Sequence, residues 1–118
     1  MSLALALAVF AIAAVFAIVA HELGHALAAL VLGGTVEGFT LHRAGGVGIR
    51  VRLADPRDIR AIAAGGLLAT AIVGVVSWSL VPLGGVFVVS AVLNGVLFAV
   101  NVIPLGPTDG ALILRGAR

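Results

Sequence analysis

The sequence predicts an all-α membrane protein of about three transmembrane helices, with a small β-hairpin between the first helix and the second. Three observations carry the prediction. Of 118 residues, 62% are apolar and only 10% are charged, whereas a soluble domain is about half apolar and about a quarter charged. The apolar residues gather in three runs long enough to cross a bilayer, which takes roughly 20 residues, and the first, at about 30, overreaches it. Between the first two runs, Val47, Ile49, Val51 and Leu53 alternate with Gly48, Arg50 and Arg52, which is the period of a strand. So little charge cannot wet a soluble fold of this size. Disorder is excluded too, because it needs low hydrophobicity and high charge. The length suits a single domain, residues 1–118.

The first helix is predicted over 3–32. The segment is rich in Ala and Leu, has no Pro, and stops at Gly33-Gly34, a common helix terminator. Its N-terminal part lacks a basic region and its apolar run is longer than that of a signal peptide, so it reads as a retained helix. The hairpin is predicted over 35–53, with Val36 to Leu41 as the first strand, a turn at Ala44-Gly45-Gly46 and the alternating segment as the second strand. A second helix is predicted over 56–80. Asp55-Pro56 is a cap followed by proline at the first helical position, and Pro82 and Gly84-Gly85 end the run. Within it Gly66, Thr70 and Gly74 form a small-residue face suited to close packing in lipid. The third helix is predicted over 86–103, with Ser90, Asn94 and Asn101 on one stripe that should face protein. Residues 104–118 read as an Asp-Gly turn and a tail, with Pro104 and Pro107 breaking the helix.

Five arginines fall in the 33–60 segment and two in the tail, with none in the Pro82–Gly85 connection or the N-terminus. The positive-inside rule then puts the hairpin and tail on the cytoplasmic side. There is no Cys, which excludes a disulfide framework, a cysteine zinc site and a thiol nucleophile. Seven arginines without lysine, giving a net charge of +2, are too few and too dispersed for a nucleic-acid footprint. The scattered Phe residues and absent Tyr offer no base-stacking platform.

Against this apolar background His21-Glu22-Leu23-Gly24-His25 stands out. It matches H-E-x-x-H, in which two histidines one helical turn apart bind zinc and the glutamate serves as general base. The histidines are about 40° apart around the helix, so both imidazoles reach one ion at about 2.0–2.1 Å. Glu22 lies beside that ion, where it can act on an activated water, and Gly24 is expected to leave room on the other flank. On a soluble helix the same letters would read as a solvated face; in lipid, ionisable residues are costly and mark function. A catalytic zinc takes three protein ligands, and Asp109 is the candidate third. The predicted topology brings it to the same membrane side as His21 and His25, although Pro-x-Asp-Gly is also an ordinary turn. His42, beside Arg43, reads as a surface residue rather than a ligand.

His21-Glu22-Leu23-Gly24-His25-Ala26 resembles the active-site helix of the site-2 protease family of intramembrane zinc metalloproteases. Asn101-x-x-Pro104-x-x-Pro107-x-Asp109-Gly110 is similar to that family's second motif, whose Asp is the third zinc ligand. Asn94 also fits the pattern. The middle helix departs from it: Gly65-Gly66-Leu67-Leu68-Ala69 lacks the Pro and Asn of the family's Gly-Pro-x-x-Asn. The chain leaves no room for a PDZ domain, so it reads as a minimal core or as part of something longer.

The resemblance implies a zinc-dependent endopeptidase that cuts transmembrane segments of other membrane proteins. His21, His25 and Asp109 would hold one Zn²⁺, Glu22 would be the catalytic base, and Asn94 and Asn101 would contact the substrate backbone. The implied partners are a membrane-protein substrate and the lipid bilayer, with the site toward the cytoplasmic side; the expected setting is a prokaryotic cell membrane. Two other classes are open to the residues alone. A membrane metal-binding protein without hydrolysis would keep the three ligands but have no need of Glu22. A structural subunit would use the motif as a polar packing patch.

Overall fold

A computed structural model describes residues 1–41 and 46–116. Residues 42–45, 117 and 118, and with them the expected surface position of His42 and most of the expected Ala44-Gly45-Gly46 turn, lie outside the described residues. The elements in order are α1 (Leu3–Val31), β1 (Thr35–Leu41), β2 (Val47–Arg52), α2 (Ile59–Ser79), α3 (Gly85–Val102) and α4 (Asp109–Arg115), with 3-10 turns at Pro56–Asp58 and Val81–Leu83. Three helices are long and apolar enough to cross a membrane.

α1 holds 29 residues, about 44 Å at 1.5 Å per residue, and thus overreaches a hydrocarbon core of about 30 Å. Gly33 stops it with φ 79°, a left-handed conformation that costs glycine little. What the helices bury is mostly small: Ala13, Ala17, Gly24, Ala26 and Ala29 of α1, and Ala63, Gly66 and Thr70 of α2, with Ile62 and Leu67 as the larger exceptions. What they expose is large and apolar, including Leu3, Phe10, Ile12, Leu27, Leu68 and Trp78. Small residues inside and bulky apolar residues outside is the arrangement of helices packed in lipid.

α2 packs against α1, α3 and α4, while both strands lie against α1. The closest crossing is at Gly24 and Gly65. A Cβ on Gly65 would stand 2.6 Å from the Gly24 carbonyl oxygen and 2.7 Å from Ala28 Cβ, so only glycines allow the two backbones to meet there. Gly24 is therefore a contact with α2 rather than clearance beside an ion.

β1 and β2 form an antiparallel hairpin with Phe39 opposite Ile49 and Leu41 opposite Val47, and an irregularity between Val36 and Gly38 leaves Glu37 as the extra residue. Glu37 pairs with Arg52 at 2.7 Å. The second helical segment starts at Pro56 behind its Asp55 cap, as expected, but its first turn is 3-10: Asp55 Oδ1 accepts from the Arg57 N–H, and α2 continues from Ile59. Within the segment read as an Asp-Gly turn and a tail, Asp109–Arg115 is helical. Thr108 Oγ1 accepts from the Ala111 N–H and caps α4, which makes Asp109 its first residue. A Cβ on Gly110 would collide with the Val102 carbonyl. Glycine at 110 thus lets α4 turn back tightly against the end of α3, and this carries Asp109 inward.

Candidate metal centre

Two histidines, a carboxylate and their supports come from three helices. His21 and His25 project from α1 toward α2, and Asp109 enters from the first turn of α4. All three side chains are largely buried. The distances are His21 Nε2 to His25 Nε2 3.1 Å, His21 Nε2 to Asp109 Oδ2 3.1 Å, and His25 Nε2 to Asp109 Oδ2 3.5 Å. Ligand atoms about 2.0–2.1 Å from a tetrahedral zinc stand about 3.3–3.4 Å from one another. The three atoms therefore form one face of such a tetrahedron.

The protons decide what those short distances mean. Thr70 Oγ1 donates to the Gly66 carbonyl at 2.9 Å, which spends its only hydrogen. Its lone pair is left to accept from His21 Nδ1 at 2.8 Å, so His21 carries its ring hydrogen on Nδ1. His25 Nδ1 lies 2.8 Å from the Ile62 carbonyl oxygen, which can only accept, so His25 does the same. In the neutral rings both Nε2 atoms are then bare acceptors. The 3.1 Å separation between them is consequently not a hydrogen bond, and the short contacts to Asp109 are not neutral N–H donations. Asp109 Oδ2 is buried and makes no hydrogen bond. Three buried lone pairs converging without a shared proton repel one another, and a cation among them removes that repulsion. Histidine ligands of metals regularly donate their second ring nitrogen to a fixed acceptor in this way. The residues present fit a divalent ion of zinc's preference.

α2 provides the room as well as the hydrogen bonds. A Cβ on Gly66 would overlap the His25 imidazole, so this glycine holds space for a ring and not for a helix. The three small residues expected to form one packing face thus divide their work. Gly66 seats His25, Thr70 orients His21, and Gly74 faces Asn94 with a hypothetical Cβ 3.4 Å from that side chain. Thr70, wholly buried, is the residue bonded to the cluster that the sequence reading took only for helix packing. Thr70→Val is expected to lower zinc affinity by about 10- to 100-fold, the usual effect of losing an outer hydrogen-bond partner, and Thr70→Ser to restore it. Competition with a fluorescent zinc chelator in detergent checks both.

Glu22 is not among the converging atoms. Its Oε2 accepts from the Ile49 N–H at 2.9 Å, spanning from α1 to β2. Because Ile49 N–H reaches Glu22 rather than β1, the Phe39–Ile49 pair does not exchange ladder bonds, and Ile49 presents its backbone on the outer edge of β2. The two asparagines donate within α3. Asn94 is 1% exposed and donates to the Ser90 carbonyl, while its Oδ1 is buried and unpartnered. It borders an α2–α3 cavity whose wall also includes Thr70. Asn101 is half-buried and donates to the Leu97 carbonyl at 2.9 Å. Neither hydrogen-bonds to His21, Glu22, His25 or Asp109.

No curated protein and no solved structure matches the chain. A family model described as Peptidase M50B-like matches residues 2–105. That span holds α1 with its two histidines and Glu22, the hairpin, α2 and α3, and stops short of Asp109, whose place in the cluster rests on the distances above. By that match the chain belongs to the Peptidase M50B-like family, membrane metallopeptidases of the site-2 protease kind.

Proposed function

We propose that the chain hydrolyses peptide bonds in or beside transmembrane segments of other membrane proteins, with one zinc ion held by His21, His25 and Asp109. The observation that carries this reading is the convergence of three buried acceptor atoms, with both histidines turned by their Nδ1 partners so that Nε2 faces the same point. A zinc ion bound there supplies Lewis acidity, which lowers the pKa of a water and polarises a carbonyl. The protein's own residues do the rest. Glu22 takes the water's proton and returns it to the leaving amine.

A transmembrane substrate keeps its backbone in internal hydrogen bonds and must unwind before it is cut. The outer edge of β2 can hold the unwound stretch by strand pairing. At Ile49 the edge donor is bonded to Glu22. A substrate strand that takes this N–H therefore frees the carboxylate at the moment it is needed. Asn94 and Asn101 remain proposed contacts for exposed substrate backbone.

Hydrolysis should depend on the metal. Purified protein is expected to cut a single-span test substrate, to stop when dialysed against a zinc chelator, and to regain the activity with stoichiometric zinc. Cleavage that survives complete zinc removal would refute the metal-dependent reading.

We further place the hairpin and α4 on the cytoplasmic side, on the strength of arginines 50, 52, 57, 60 and 115. Single cysteines at Thr35 and Gly84 should then label from opposite faces of sealed vesicles. Labelling of both from one face would contradict the three-span arrangement.

A further inference from the structure

Between α1 and the hairpin lies a cavity of about 250 Å³ that the metal ligands do not use. Ile18, Val19 and Glu22 of α1 form one wall, and Phe39, Val47 and Ile49 of the hairpin form another. Ile18 and Glu22 are four residues apart and Val19 and Glu22 three, so Glu22 neighbours both on the helix surface. Phe39 and Ile49 are cross-strand partners, and Val47 is two positions from Ile49, so all three share one face of the sheet. The lining is apolar except for Glu22. Phe39 is 71% exposed and Val47 43%, so the described residues leave these side chains largely uncovered.

Glu22 is what ties the cavity to the chemistry. Its carboxylate stands where the cavity meets the outer edge of β2, held there by the Ile49 N–H, on the same helix as His21 and His25. A peptide whose scissile carbonyl is served by Glu22 has a flanking residue at the cavity mouth. An extended segment paired to β2 turns alternate side chains to the sheet face that carries Phe39, Val47 and Ile49. Nothing in the wall except Glu22 could satisfy a polar or charged side chain there, so such a side chain would be desolvated without compensation.

We propose that this cavity is the specificity pocket for the substrate, receiving one large apolar side chain, leucine or phenylalanine in size, from a residue flanking the cut. The proposal rests on the hydrolytic reading above.

The test uses single-span substrates that are identical except at the residues flanking the cut, which is mapped by mass spectrometry with the wild-type protein. At one flanking position leucine is expected to exceed alanine and aspartate by about tenfold or more in kcat/KM, the scale on which an apolar pocket discriminates. Val19→Trp fills the pocket and should bring the leucine-to-alanine ratio to about one or below. Val19→Ala enlarges it and should move the preference toward phenylalanine. Ratios are read within each variant, with zinc content as the check on folding. A ratio unchanged in both variants, or a wild type without preference, overturns the assignment.

Binding is read separately. Glu22→Gln protein is cross-linked to a single-span peptide carrying a photoreactive leucine analogue at the flanking position. Cross-links to α1 around Val19 and to Phe39 support the pocket; cross-links confined to the α2–α3 cavity at Asn94, or to none of these, overturn it. A wild type that cuts nothing refutes the hydrolytic reading by itself, and the cross-linking result still decides where the apolar side chain goes.

Discussion

Glu22→Gln is expected to end cleavage of a single-span test substrate while leaving zinc content at the wild-type level. The side chain is not among the converging ligand atoms, so its loss as a base leaves the ion's contacts intact. Glutamine is nearly isosteric, and its carbonyl oxygen can still accept from the Ile49 N–H that Glu22 engages at 2.9 Å, so the hairpin should stay docked. What glutamine cannot do is take a proton. Loss of a general base costs about 10²- to 10⁴-fold in rate, and here the same group also returns the proton to the leaving amine. The variant should therefore hold a membrane substrate without cutting it. Rates measured beside wild type, with zinc determined in both samples, check this. Equal rates would remove Glu22 from the mechanism. Zinc retained in both with no cleavage by either, across a broad substrate panel, would favour a metal-binding protein without hydrolysis.

His21→Ala, His25→Ala and Asp109→Asn should each abolish stoichiometric zinc binding. Each removes one of three ligands, a larger loss than the roughly 10- to 100-fold typical of an outer partner. The variants should differ in the metal-free state, and the sign is informative. His21→Ala removes the donor to the Thr70 hydroxyl, which keeps its bond to the Gly66 carbonyl, and His25→Ala removes the donor to the Ile62 carbonyl inside α2, so each costs one imidazole hydrogen bond of 2.8 Å. Both should lower metal-free stability by the ~0.5–1.5 kcal/mol of one lost hydrogen bond, together with the cavity left by the ring. Asp109→Asn instead replaces an unpartnered buried carboxylate oxygen that faces two imidazole acceptors. Its amide can donate to them. Without metal it should be at least as stable as wild type, even though wild type alone gains stability from added zinc through binding linkage. Thermal unfolding in detergent with and without zinc reads both effects. A metal-free Asp109→Asn protein markedly less stable than metal-free wild type would mean that Asp109 is a structural partner of the histidines and not a ligand held ready.

Much of this architecture is legible in the residues, for physical reasons that differ by element. The three spanning helices announce themselves because lipid demands continuous apolar runs, and the hairpin because Val47, Ile49 and Val51 alternate with Gly48, Arg50 and Arg52. The histidine spacing is legible because one helical turn is a local distance. α4 is not: its helical stretch, Asp109 to Arg115, is too short to show a period. Thr-Asp-Gly, moreover, serves equally as a turn or as a cap, and only packing against α2 decides between them. Thr70 is hidden for a different reason. It bonds a histidine 49 positions away, and nothing local distinguishes it from Gly66 and Gly74 on the same face. Gly24 shows how a local reading can misplace a role, since the space it leaves is filled by Gly65 of α2. The Glu22–Ile49 bond likewise depends on how the hairpin folds back against α1, which spacing along the chain does not encode.

Zinc K-edge X-ray absorption on the purified protein tests the centre most directly. One zinc per chain is expected, with a first shell of nitrogen and oxygen alone at about 2.0–2.1 Å and outer-shell scattering from two imidazoles. The Asp109→Asn protein should fail to give that spectrum at the same zinc concentration. Substoichiometric zinc in wild type, a shell with fewer than two imidazoles, or an identical spectrum from Asp109→Asn would contradict a metal held by His21, His25 and Asp109.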